Sequence, residues 1–178
     1  MEIEIKAKFK DKEKLKKRLR DLGAQEKGTK HQIDEYYNHP SIDTRETNEY
    51  IRLRYNDDFS GGVFAYHINI QDGVNKEYEV EISDIKIFKD ILKGLKFPLL
   101  GVIDKKREKY ILGDATITID EVKNIDNFIE VEVDGEENEI DEKKKYCKEV
   151  LKKLNIPEEN ICKKIWLCDI ATGRIKYP

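Results

Sequence analysis

The sequence predicts an α+β fold: an antiparallel β-sheet closed into a barrel, with helices packed on the outside. Three observations carry this expectation. Strand-length segments alternate apolar and charged residues with period two, beginning at Met1 to Lys8. The segments that read as helices carry apolar stripes, which need an apolar sheet face to cover. The charged faces of the strands are sorted by sign, whereas a face washed by water would mix acids with bases. If the apolar side of the sheet lies under helices, the ionic side is the inside of the barrel.

The elements follow in order. Ile3, Ile5, Ala7 and Phe9 face one way on the first strand, and Glu2, Glu4, Lys6 and Lys8 the other. A helix is expected from Lys10 to Leu22, capped by Asp11 and stopped at Gly23, with Leu15, Leu19 and Leu22 inward. Its lysines and arginines read as a solvated face. Gln32 to Tyr37 is a second strand, and the polar stretch Ser41 to Asn48 a loop. Tyr50 to Tyr55 puts Arg52 and Arg54 on one face. Val63 to Ile70 puts His67 opposite Phe64 and Tyr66. Asn75 to Ile82 sets Glu77, Glu79 and Glu81 against Tyr78, Val80 and Ile82. Ser83 or Asp84 caps a helix to Lys93. Leu99 to Leu112, Thr116 to Asp120 and Phe128 to Val133 are the remaining strands. Asp141 caps a helix to Leu154, and the tail from Pro157 to Ala171 is expected to hold a short helix around Trp166.

The bulk properties narrow the field. A chain of 178 residues suits a single domain spanning 1–178. Charged residues make up 40%, yet the net charge is only -3, so no overall field draws the protein to nucleic acid or to an anionic membrane. No apolar run reaches membrane-span length, and Glu2 and Glu4 argue against a signal segment. The three cysteines, Cys147, Cys162 and Cys168, share no metal-ligand spacing, which suits free thiols in a reducing cytosol. A cytoplasmic protein, monomeric or homodimeric, is expected.

The sign-sorted pairs point to chemistry. Glu2 with Glu4, Glu77 with Glu79, and Glu130 with Glu132 pair acids at i and i+2. Arg52 with Arg54 and Lys105 with Arg107 pair bases. Such pairs cost free energy unless opposite charge lies between them. Facing carboxylates suit a hard divalent cation, Mg²⁺ or Mn²⁺. Facing guanidinium and ammonium groups suit phosphate oxygens.

Glu2-Ile3-Glu4-Ile5-Lys6 is an E-x-E-x-K signature, and further segments accompany it in order. These are Gln32-Ile33-Asp34-Glu35-Tyr36-Tyr37, Ile51-Arg52-Leu53-Arg54, Lys105-Lys106-Arg107, Ile119-Asp120-Glu121-Val122 and Phe128-Ile129-Glu130-Val131-Glu132. The set resembles the CYTH superfamily of triphosphate tunnel metalloenzymes, which includes thiamine triphosphatases, inorganic triphosphatases and CyaB-type class IV adenylyl cyclases. The resemblance implies an eight-stranded antiparallel tunnel and a triphosphate substrate. It implies metal binding by Glu2, Glu4, Glu130 and Glu132, with Asp120 and Glu77 nearby. It implies phosphate binding by Lys6, Arg52, Arg54, Lys105 and Arg107.

The chain departs from the family pattern at three points. His67 stands where relatives carry a lysine in an L-T-x-K-G-P strand, Asn75 where an arginine is common, and Ile165-Trp166 where a C-terminal S-Y is usual. The first two changes remove basic contacts and leave the carboxylates intact. Catalytic duty is assigned to Lys6, Glu77, Glu79 and His67, the last as a phosphate donor or proton carrier. The expected activity is metal-dependent hydrolysis of inorganic triphosphate, and of nucleoside or thiamine triphosphate. ATP cyclisation, a non-catalytic polyphosphate-binding module, and a purely structural ion network remain open beside it.

Overall fold

The computed structural model describes residues 1–162 and 170–171. Its elements are β1 (Glu2–Lys8), α1 (Lys12–Asp21), β2 (Gln25–Tyr37), β3 (Glu49–Asn56), β4 (Gly62–Gln71), β5 (Val74–Ile82), α2 (Ile85–Gly94), β6 (Leu99–Leu112), β7 (Ala115–Val122), β8 (Asn127–Asp134) and α3 (Ile140–Lys153). The strands hydrogen-bond in the order β1-β5-β4-β3-β2-β6-β7-β8 and close into an antiparallel barrel, with the three helices outside. The closed antiparallel eight-stranded expectation is met. Closure leaves no edge strand to protect. The expected helix around Trp166, and Cys168 with it, lie outside the described residues.

The chain divides into two compact units. The first holds Met1–Lys30, Gln71–Asn75 and 106–162; the second holds His31–Ile70 and Lys76–Lys105. In the first, the apolar faces of β1, β7 and β8 (Ile3, Ile5, Ile117, Ile119, Ile129, Val131) pack against Leu15 and Leu19 of α1 and Val150 and Leu151 of α3. In the second, Leu53 and Tyr55 of β3 and Phe64 and Tyr66 of β4 pack against Ile85, Phe88 and Leu92 of α2. The stripes read on β1, β3, β8 and the helices are the ones buried, whereas the apolar face read on β5 is not: Tyr78 and Val80 are exposed, as is Ile70 at the end of β4.

Local signals set the helix starts. Asp11 accepts a hydrogen bond from Lys14 N at 3.0 Å, and Asp84 from Ile87 N at 2.9 Å, each serving an otherwise orphaned helical donor. The third start differs from the sequence expectation. Asp141 lies inside the first turn of α3 and Glu139 is its N-cap residue. A preceding 3₁₀ turn, Glu137–Glu139, brings Glu139 Oε2 to 2.9 Å from Glu136 N, so the chain is already helical when Asp141 is reached. β2 also begins earlier than expected, at Gln25, because residues 25–31 are exposed on both faces and carry no alternation to read.

Two of the helices, α1 and α2, are also anchored to the sheet by ion pairs. Lys12 Nζ and Lys16 Nζ of α1 lie 2.7 and 2.8 Å from the two oxygens of buried Glu108 on β6, and Tyr110 OH donates to Glu108 at 2.8 Å. Lys89 Nζ of α2 lies 2.5 Å from Glu35 on β2, which also accepts from Tyr37 OH at 2.5 Å and Tyr55 OH at 2.8 Å. Both anchors use a Glu-x-Tyr pair on the outer face of a strand. The solvated-face expectation for α1 therefore fails at Lys12 and Lys16 and holds at Lys14 and Lys17, which are exposed. Among the described residues, Cys147 is free and buried and Cys162 is free and partly buried. No described helix is long and apolar enough to cross a membrane.

Burial alone would raise Glu108, but Lys12, Lys16 and Tyr110 hold its carboxyl down to about 2. A depressed folded-state value stabilises the fold above the unfolded carboxylate range, and that contribution is lost as pH falls toward the folded value. Glu108→Gln is expected to cost about 1–3 kcal/mol near neutral pH. Urea unfolding of wild type and variant should show the full difference at pH 7 and a smaller one at pH 3.

Candidate functional site

The inner face of the first unit is built on the β1–β8 and β7–β8 ladders. Glu4 pairs with Glu132, Lys6 with Glu130 and Glu2 with Asp134 across β1–β8. Thr118 pairs with Glu130 and Thr116 with Glu132 across β7–β8. Alternation along these strands sends Ile3, Ile5, Val131 and Val133 to the outer core and the charged residues between them inward. Lys6 Nζ lies 2.5 Å from Glu130 Oε1, and Thr118 Oγ1 donates to Glu130 Oε2 at 3.0 Å. Arg107 spreads its guanidinium over two acids: Nε is 2.6 Å from Asp120 Oδ1, and Nη2 is 2.5 Å from both Asp120 Oδ2 and Glu130 Oε2.

Glu4 is incompletely compensated on this face. Burial, then the Glu130 and Glu132 charges, push its carboxyl up to about 7 against the pull of Lys6 and Arg107. Asn75 Nδ2 donates to Glu4 Oε1 at 3.3 Å, where an arginine would have brought a full charge. Burial would lower Lys6, but Glu130 and then Glu4 hold it above the ordinary lysine range. Like carboxylates set directly across a ladder, with one driven toward protonation, are what a divalent cation relieves. Glu4, Glu130 and Glu132 are oxygen donors of the kind a hard metal ion takes, although among the described residues the three ligand atoms that converge within 4.8 Å are those of His67, Glu77 and Glu79.

The inner face of the second unit centres on Asp34, a member of the Gln32 to Tyr37 motif to which the sequence assigns no role. Asp34 pairs with Arg54 across β2–β3. It takes a two-pronged contact from Arg54, Nε at 2.7 Å and Nη2 at 2.9 Å, and Lys105 Nζ lies 3.3 Å away. Although burial opposes it, Arg54 and Lys105 hold the Asp34 carboxyl well below its ordinary value. Arg52, nearly buried, points its Nη2 at Glu79 (3.2 Å) and Glu77 (3.9 Å) of β5. His67, fully buried on β4, lies with Nδ1 2.6 Å from Glu77 Oε1. Its ring stacks on Tyr50, its partner across β3–β4, at 4.2 Å and 11°.

These contacts place the residues singled out from the sequence. Lys6, Arg107, Asp120 and Glu130 form one connected network, beside Glu4 and Glu132. Arg54 and Lys105 share Asp34, and Arg52, His67, Glu77 and Glu79 form a third group. Glu2, half-buried at the start of β1, pairs with Asn75 and Asp134. The residues not assigned a role from sequence are Asp34, Thr118 and Asn75. For Asp34 the signal was present: its parity within Gln32 to Tyr37 puts it on the inner face. For Asn75 and Thr118 only the strand register shows the contact.

A closed eight-stranded antiparallel barrel carrying buried acids and bases, with helices outside, defines a tunnel-type fold. The chain belongs to the CYTH domain family, whose model matches residues 1–165. Members of this family act on small triphosphate substrates and depend on metal ions. A Methanocaldococcus jannaschii protein named "Putative adenylate cyclase MJ0240" is 36% identical over 172 residues, covering 94% of this chain and 97% of that one. Among solved structures, the PH1012 protein of Pyrococcus horikoshii is 27% identical with a TM-score of 0.81, covering 93% of this chain and 97% of that one. The Hippeastrum protein HpAC1 has the same fold, with a TM-score of 0.71 at 18% identity over 100% of this chain and 98% of that one.

Asp34→Asn removes the carboxylate that Arg54 and Lys105 share. Its expected cost is about 3–5 kcal/mol, as when one partner of a buried ion pair is deleted. Added inorganic phosphate should raise the melting temperature of the variant more than that of wild type, which differential scanning calorimetry would measure.

Proposed function

We propose that the protein is a divalent-metal-dependent hydrolase of triphosphate substrates, inorganic triphosphate first, with nucleoside or thiamine triphosphate as further substrates. The observation that carries this reading is the carboxylate excess around Glu4, set on a barrel that also carries the basic residues Lys6, Arg52, Arg54, Lys105 and Arg107. Binding of polyphosphate alone would be served by bases without that acidic deficit.

In this reading Glu2, Glu4, Glu130 and Glu132, with Asp120 adjoining, hold Mg²⁺ or Mn²⁺. The metal, when bound, supplies Lewis-acid polarisation of phosphate oxygens. Arg54 and Lys105 exchange Asp34 for phosphate oxygens, and Arg52 exchanges Glu79. Lys6 and Arg107 add positive charge where non-bridging oxygens gain negative charge in the transition state. Glu77 or Glu79 orients the attacking water and takes up its proton. His67, pushed down to about 4 by burial and by Arg52, is neutral at pH 7 and brings no net charge to this group.

A second reading is supported by the name of the 36% identical relative: ATP cyclisation, with the ribose 3′-hydroxyl attacking the α-phosphorus and pyrophosphate leaving. Cyclisation asks for a seat for adenine in addition to the phosphate contacts, which hydrolysis of inorganic triphosphate does not. The Hippeastrum protein is described as having a dominant triphosphatase activity, although the likeness to it bears on fold alone.

Incubation with Mg²⁺ or Mn²⁺ and, separately, triphosphate, ATP and thiamine triphosphate decides between them. Phosphate with diphosphate from triphosphate supports the hydrolase, and cyclic AMP with pyrophosphate supports the cyclase. Tight binding without turnover overturns both. Glu2→Ala and Glu4→Ala are expected to lower phosphate release by about 100-fold or more with the fold retained. Full activity in these variants would remove the metal assignment.

A further inference from the structure

His67, Glu77 and Glu79 each bring one ligand atom to within 4.8 Å of the others. All three belong to the second compact unit, whereas Glu4, Glu130 and Glu132 belong to the first. Two carboxylates near a cation are common on protein surfaces and would mean little alone. The histidine changes the case. His67 is fully buried, and neither of its ring nitrogens has a hydrogen-bond partner. Nδ1 approaches Glu77 Oε1 to 2.6 Å but outside hydrogen-bonding geometry. A buried polar atom left without a partner costs about 1–3 kcal/mol, so a native fold that keeps one has a reason for it.

We propose that His67, Glu77 and Glu79 form a second divalent-metal site, selective for a first-row transition cation from Mn²⁺ to Zn²⁺ over Mg²⁺. The selectivity follows from the donor set. An imidazole nitrogen with two carboxylate oxygens suits borderline cations, whereas Mg²⁺ prefers oxygen ligands and water. Three protein donors also leave coordination positions open to water or phosphate. The imidazole is prepared for the role. Stacking on Tyr50 fixes the ring plane.

Arg52 is the competitor. Its Nη2, 3.2 Å from Glu79 and 3.9 Å from Glu77, now supplies the positive charge that the two carboxylates require. Metal binding displaces the guanidinium and frees its fork for an anion. Metal and anion should therefore bind this unit with positive cooperativity. The site stands on ligand chemistry alone and does not depend on which triphosphate, if any, is turned over.

The test is metal binding to the Glu2→Ala/Glu4→Ala double variant, which isolates this site from the other carboxylates. Calorimetric titration with Zn²⁺, Co²⁺ and Mg²⁺ in the absence of phosphate compounds should show one equivalent of Zn²⁺ or Co²⁺ bound at least about 10-fold more tightly than Mg²⁺. Adding His67→Asn should abolish that equivalent. Glu79→Gln, at a side chain 47% exposed and therefore safe for the fold, should weaken it about 10-fold. The protein has three histidines, so NMR of labelled imidazoles offers an independent readout on wild type. Substoichiometric Mn²⁺ should broaden the His67 resonances before those of His31 and His39. An unchanged isotherm in the His67→Asn and Glu79→Gln variants, or sharp His67 resonances at metal saturation, would overturn the site. Neither result would touch the hydrolase reading, which is judged on Glu2 and Glu4.

Discussion

Glu4 and Glu132 face each other across the β1–β8 ladder, and the strand alternation that buries Ile3, Ile5, Val131 and Val133 outside leaves these carboxylates no other direction to point. Repacking cannot move them: a one-residue slip of register would put every one of those apolar side chains inside and every charge in the core. The repulsion is therefore held in place by the hydrophobic energy of the outer layers. It is met partly by Lys6 and Arg107 and, in the reading proposed above, by a metal ion. The apolar exterior creates the ionic interior.

The same logic explains how the exterior tolerates charge. Glu35 and Glu108 sit on outward-facing positions under helices, where an unpaired carboxylate would be costly. Each is met by tyrosine hydroxyls from its own sheet and lysines from the covering helix. Apolar packing lets a helix slide along its groove, whereas a buried ion pair of fixed geometry admits one register. These two contacts act as pins that set where α1 and α2 lie on their strands.

What the sequence revealed and what it withheld divide along chain distance. The caps at Asp11 and Asp84, the alternation of β1, β3 and β8, and the helical stripes are encoded within a few residues and were legible. So was the sorting of acids from bases, because i and i+2 parity is local. The pairings of Lys12 and Lys16 with Glu108, of Asn75 with Glu4, and of Lys105 with Asp34 join residues some 70 or more positions apart and emerge only once strand order is known. A lysine run on a helix looks the same whether or not an acid waits beneath it. The first half of β2 was missed for a different reason: both its faces meet water, so ladder hydrogen bonds rather than side-chain pattern make it a strand.

Asp34 carries one more consequence. It is a carboxylate that never leaves, fastened 2.7 Å from the Arg54 fork and shared with Lys105. Any anion entering that part of the barrel meets a tethered rival whose local concentration is fixed by the fold and does not fall on dilution. Such a rival lowers affinity for every anion alike, and it does so mainly by speeding departure, since it recaptures the guanidinium whenever a contact loosens. In the reading proposed above, Arg54 and Lys105 without such a rival would hold a multiply charged guest for a long time, and the resident aspartate would keep the site self-emptying.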